Sequence, residues 1–334
     1  MGRGELMSAA ALNAMSSVMN LTSKDRILIL TDIHCKNIAR AFKQAGFSKG
    51  CKVDVYQLDE YTRPLKEIPA PLINLLPNKT IVLNIIKAFA EEIQFRIKWI
   101  FKVKEYESVK CAHMPGITES MMIEGPLNVD YSEMKIRANS LTALLNDAEL
   151  LHVSTDNGTN VKIGVKGRKF IDDVFIEPGE MANLPCGEIY CAPEETSAEG
   201  VVVFDASIGD IGLLKTPLKV FLKKGKISEL ECEDSKIVKK VIELTSIDED
   251  AKVIGELGIG INPGARITGN MLEDEKAIET AHIAFGNNED FPGGGKNHSK
   301  IHRDYLFHRP TIKAFYKDKT SRTIIHNGKF LFID

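Results

Sequence analysis

The sequence predicts an α/β N-terminal layer, residues 1–150, followed by an α+β, strand-rich C-terminal metal-binding domain, residues 151–334. Two observations carry that division. Upstream, apolar runs alternate with helical spacing in β-α-β order, the signature of a parallel sheet. Downstream, short apolar stretches are separated by glycine turns, the signature of antiparallel hairpins.

Taken in order, RILILT (26–31) is a short apolar strand, DIHCKNIARAFKQAGF carries helical spacing, and KVDVYQLD is a second strand with alternation at Val53 and Val55. No Gly-x-Gly-x-x-Gly follows the first strand, so a dinucleotide site is not supported. IKAFAEEIQFRIKWIFKV (86–103) reads as an amphipathic helix, and residues 130–148 read as another, running up to AELLHVSTD. From Leu151 the character changes. LLHVSTDNGTNVKIGVKGRKF reads as a hairpin turning at Asn157-Gly158, followed by the short strands GEIYCAP, EGVVVFDASI and LKVFLKKGKISEL and a helix from Asp234 to Leu244.

Bulk properties exclude several classes. A chain of 334 residues can hold two domains with their own cores. The net charge of −3 gives no electrostatic case for nucleic acid or membrane as the main partner, which leaves small ligands. Residues 70–90 are the most apolar, but Pro77, Asn78 and Lys79 interrupt them, so no membrane span is expected. The start, MGRGELMSAAALNAM, lacks the long apolar core of a secretory leader. Six cysteines without CxxC spacing fit reduced thiols in a cytoplasm.

The chemistry concentrates in four later stretches. In NHSKIHRDYL, residues two apart on a strand share a face, so His302 and Asp304 would offer nitrogen and oxygen to one divalent cation; a charged strand edge is the plainer alternative. NLPCGEIYCAPEE places Glu188 at the start of an apolar strand. IGELGIGINPGARITG places Glu256 among small apolar residues, where a buried carboxylate needs a cation or strong donors; pairing with Arg266 is the alternative. LEDEKAIETAHIAFGNN carries Glu273, Asp274 and Glu275, which read as a solvated helix start, and His282, flanked by apolar residues like a core histidine.

These four motifs, in this order and spacing, resemble the aminopeptidase T family of metallopeptidases, over roughly residues 110–330. The resemblance implies a two-metal site held by Glu188, Glu256, His282, His302 and Asp304, with Glu188 and Glu256 also serving catalysis. It implies divalent ions such as Zn, Co, Mn or Mg, short peptides as substrates, and a homodimer. Two such ions activate water and stabilise the oxyanion of an attacked amide. One position departs from the pattern: seven residues after His282, where these peptidases carry tyrosine, stands Glu289. A tyrosine hydroxyl can donate to an oxyanion and a carboxylate repels it, so this departure counts against peptide hydrolysis.

A second use of the same residues is open. His282, His302 and Asp304 form a two-histidine, one-carboxylate set of the kind that holds mononuclear Fe(II). The ring-cleaving dihydroxypyridine dioxygenases look similar to this metallopeptidase fold and use such a set. His113, in KCAHMPGIT, would then act as a base, or else serve as a structural loop histidine. A non-catalytic, metal-stabilised binding protein is a third class. FPGGGKNHSK (291–300) is expected to border the pocket, with Lys296 and His298 available to a substrate carboxylate.

Overall fold

The computed structural model describes residues 2–289, 291 and 293–332. The chain divides into two compact units, Met1–Ser132 with Asp173–Cys186, and Glu133–Asp172 with Gly187–Asp334. They are not consecutive halves. The boundary expected near residue 150 falls inside the strand Ala148–Ser154, and a later segment returns to the first unit. A linear reading of composition does not see such a return.

The first unit is built on a five-stranded parallel sheet. Its order is Lys52–Gln57, Arg26–Thr31, Ile81–Ile86, Lys110–Pro115 and Met181–Asn183. Ile29 lies between Val55 and Leu83 in register. The inner strands RILILT and IVLNII are apolar almost throughout because helices cover parallel sheets on both faces. The edge strand KVDVYQ is half-exposed. Helix Lys36–Ser48 buries Ile38, Phe42 and Ala45, one face at helical spacing. Helix Ile93–Lys104 buries Phe95, Trp99 and Val103 in the same way.

The helix expected over residues 86–103 is therefore shorter than its sequence suggests. Its apolar start is the end of the strand Ile81–Ile86, and the 3.6-residue period holds only from Phe95 onward.

At the carboxyl ends of two neighbouring strands the unit carries a buried ion network. Arg63 reaches Asp32 at 2.8 Å, just past Arg26–Thr31, and Glu92 at 2.6 Å, beyond Ile81–Ile86. Phe89 covers the guanidinium, its ring centre 4.5 Å away. All three charged side chains are at most 4 % exposed.

The second unit holds two antiparallel sheets. The eight-stranded one has its middle at Asn160–Gly164, Ala148–Ser154 and Thr311–Tyr316. The Asn157-Gly158 turn joins the first two as expected, with Gly158 at φ 105°. Helix Ser235–Thr245 begins where the sequence places it, its first turn capped by the Asp234 carboxylate accepting from the Lys236 amide at 2.9 Å.

The seven-stranded sheet runs Gly212–Leu213, Ser207–Ile208, His302–His308, Thr280–Gly286, Ile254–Gly260, Glu188–Cys191 and Ile171–Asp172. Strand alternation divides its two faces. The face carrying Phe285, Tyr305 and Phe307 packs on the other sheet: Phe204 meets Tyr305 and Phe307 with ring centres 5.2 and 5.9 Å apart. Each such pair contributes about 0.5–1.5 kcal/mol beyond its buried area. The opposite face carries the polar residues described next. Among the described residues no helix is long and apolar enough to cross a membrane.

Candidate metal centre

Four adjacent strands deliver the site. Across the sheet, Glu256 lies opposite Ala284 and Ala284 opposite Asp304; Gly258 lies opposite His282, Gly286 opposite His302, and Gly260 opposite Glu188. Alternation puts all of these on one face. A β-bulge between Ile254 and Glu256 inserts one extra residue, and that shift turns Glu256 onto the polar face. The small residues make the room. A Cβ at Gly258 would stand 2.0 Å from His282 Nε2, so only glycine lets the imidazole lie across the neighbouring strand.

The five residues singled out in the sequence converge. His282 Nε2 is 3.3 Å from Glu256 Oε1 and 3.4 Å from Glu188 Oε2. His302 Nε2 is 2.9 Å from Glu256 Oε2 and 3.4 Å from Asp304 Oδ1. The result is two triples, Glu188–Glu256–His282 and Glu256–His302–Asp304, each with its donor atoms within 4.8 Å of one another. Glu256 belongs to both, one oxygen facing each. His302 Nδ1 lies 2.8 Å from the Asn287 carbonyl and donates to it, which fixes the tautomer with Nε2 toward the carboxylates. Arg266, the alternative partner for Glu256, instead bonds Glu273 at 3.0 Å.

The electrostatics follow from crowding. Burial opposes ionisation of Glu256, but hydrogen bonds from His282 and His302 outweigh it and bring the carboxyl down to about 2. Burial likewise disfavours the His282 cation, and Glu256 beside it reverses this, to about 9. For His302, whose side chain is 30 % exposed, loss of solvent works against the cation, and Asp304 and Glu256 more than restore it. Two nitrogens and three carboxylates on one face form a donor set suited to divalent first-row ions and to magnesium, and the Gly258 gap admits it.

The acidic run is not a solvated helix start. Glu273, Asp274 and Glu275 are all buried. Asp274 accepts from the Thr268 and Gly269 amides at 2.7 and 2.9 Å and from the Ser207 hydroxyl at 2.7 Å, which offsets its desolvation. Lys276, fully buried, bonds both Glu188 and Glu275. Sequence reasoning missed Lys276 and Gly258. The available signal was a lysine wedged between an acidic run and the apolar Ala277-Ile278.

His113 sits in the first unit, on the strand Lys110–Pro115, 3.5 Å from Asn84 through Nδ1. Burial, with Arg96 nearby, holds it neutral by bringing its pKa down to about 3. Glu289 pairs with His298 at 2.5 Å, both largely exposed. Lys296 gives its backbone amide to Glu195 at 2.8 Å. Phe291, from the same glycine-rich loop, rests against Tyr190 and His302, ring centres 5.3 and 5.4 Å away, so this loop borders the cluster as expected.

The family model of the thermophilic metalloproteases (M29) matches residues 118–330. Aminopeptidase T of Thermus thermophilus is 29 % identical over a stretch covering 45 % of this chain, and that of Thermus aquaticus is 28 % identical over a stretch of the same extent. The matched stretch spans 40 % of the length of each relative. Wild-type AmpT from Thermus thermophilus superposes with a TM-score of 0.71 at 18 % identity, over 98 % of this chain and 99 % of that one. The 2,5-dihydroxypyridine dioxygenase of Pseudomonas putida KT2440 superposes with a TM-score of 0.73 at 16 % identity, over 100 % of this chain and 99 % of that one. At these identities the two structures speak for the fold alone.

Proposed function

The chain belongs to the thermophilic metalloprotease (M29) family, and from that premise we propose that it is a metal-dependent aminopeptidase acting on short peptides. The observation that carries this reading is Glu256, whose two oxygens are divided between two ligand triples. A carboxylate so placed suits a pair of cations better than a single one. Glu188, Glu256 and His282 would hold one, and Glu256, His302 and Asp304 the other. When bound, such a pair lowers the pKa of a water and polarises the scissile carbonyl.

The chain's own residues do the rest. Three ligand carboxylates, with Glu275 and Lys276 neutral as a pair, leave three negative charges on this face. Two dications exceed that by one, which favours one further anion and attracts the electron-rich end of an amide. The Asn287 carbonyl holds the His302 ring in place. Phe291 rests against that ring, and Tyr190 against Phe291.

The reading is tested by metal content and turnover together. Purified protein is expected to carry two divalent ions per chain and to hydrolyse amino-acid amides. A chelator should abolish hydrolysis, and Mn, Co or Zn should restore it. His302→Ala and Asp304→Ala should each lower metal affinity by more than the roughly 10–100-fold lost when only a hydrogen-bond partner of a ligand is removed. One oxygen-sensitive Fe(II) per chain, with oxygen consumed alongside a dihydroxylated heteroaromatic ring, would replace this reading with the ring-cleaving one.

A further inference from the structure

We propose that Lys276 is a positioning residue that restrains Glu188 to a single cluster-facing oxygen and so keeps a coordination position open on that side. The proposal rests on the metal-centre reading above and adds a residue to it. Lys276 has no exposed surface, and a buried ammonium must be paired. It bonds Glu188 through Oε1 and Glu275 at 3.0 Å. The other Glu188 oxygen, Oε2, is the one that faces His282 Nε2, at 3.4 Å. The two oxygens thus have different duties, one toward the lysine and one toward the cluster.

The backbone makes this arrangement rigid. The Lys276 carbonyl accepts from the Asn262 amide at 2.9 Å, and its own amide donates to Glu273 at 3.1 Å. A Cβ at Gly260 would stand 2.0 Å from the Ala277 carbonyl oxygen, so the lysine segment lies tight against the ligand-bearing strand. Without the ammonium, Glu188 would keep its full charge and could turn both oxygens to a cation. The cation would be held more tightly, with one fewer position for substrate. A purely structural ion pair predicts instead a loss of stability with no change at the metal.

The test uses the full chain loaded with Co(II), whose visible absorption reports coordination number, alongside equilibrium dialysis. Lys276→Met removes the ammonium at similar length. Because that change alone leaves two buried carboxylates, the double variant Glu275→Gln/Lys276→Met, which removes one charge of each sign, guards against misfolding. In both, the Co(II) band is expected to weaken about twofold or more as coordination number rises, and affinity to increase about tenfold, while turnover of an amino-acid amide falls. Folded variants whose Co(II) spectrum matches the wild type, or which bind metal more weakly, overturn the proposal and leave the metal centre standing. A wild-type chain that takes up no Co(II) overturns both.

Discussion

A hydrogen atom in place of a methyl group decides whether His282 reaches its neighbours. Because a Cβ at Gly258 would stand 2.0 Å from His282 Nε2, Gly258→Ala should push the imidazole off Glu256 and Glu188. Metal affinity measured by dialysis is expected to fall about 10–100-fold, the range seen when ligand orientation is lost. An unchanged affinity would mean the ring has other room. At this scale the site was largely legible. His302 and Asp304 could be paired because a strand repeats every two residues, and Glu256 stood out as a carboxylate among small apolar neighbours. Lys276 and Gly258 escaped for the opposite reason. Their importance lies in a distance to a residue on another strand, and nothing in LEDEKAIE or IGELGIG encodes that distance. The burial of Glu273 and Asp274 was hidden likewise, since their compensating donors, such as Arg266, Thr268 and Ser207, are set by the fold.

Elements were read where period and length agreed. RILILT and KVDVYQ are strands as expected, while the apolar Ile81–Ile86 blurred into the helix after it, because a short continuous apolar run fits either state. The loops that follow two of these strands are tied by Arg63. Arg63→Met would leave Asp32 and Glu92 buried without their cation, and should destabilise the chain by about 3–5 kcal/mol. Thermal unfolding would measure it; a loss under 1 kcal/mol would show the pair relaxing or protonating at little cost. The pH dependence has a definite sign. Burial raises the Glu92 carboxyl, but hydrogen bonds from Arg63 and the Leu65 amide lower it further, and its net pKa lies below the ordinary value. A depressed carboxyl adds stability above its unfolded pKa, about 4.3, and that stability is lost as pH falls through the folded value. Melting curves of Glu92→Gln should therefore lie below wild type near neutrality and converge with it in acid.

For the molecule as a whole, the placement of strands makes some cuts tolerable and others not. Ala148–Ser154 joins Asn160–Gly164 to Thr311–Tyr316 in the middle of the eight-stranded sheet. A fragment starting at residue 151 loses half of that strand and the helix Tyr131–Leu145, and is expected to show no cooperative melting by circular dichroism. A fragment starting at residue 133 keeps the whole strand and all but the first two residues of the helix, and should retain more structure; equal melting of the two would show that the central strand is dispensable. The returning segment has a consequence for synthesis. Translation proceeds from the amino terminus, so the parallel sheet lacks Met181–Asn183 while residues 133–172 are already leaving the ribosome. During that interval the Lys110–Pro115 strand presents an unsatisfied edge, open to pairing with any passing chain. Nascent chains paused before residue 186 should be those that chaperones capture most, and that aggregate first when chaperones are scarce.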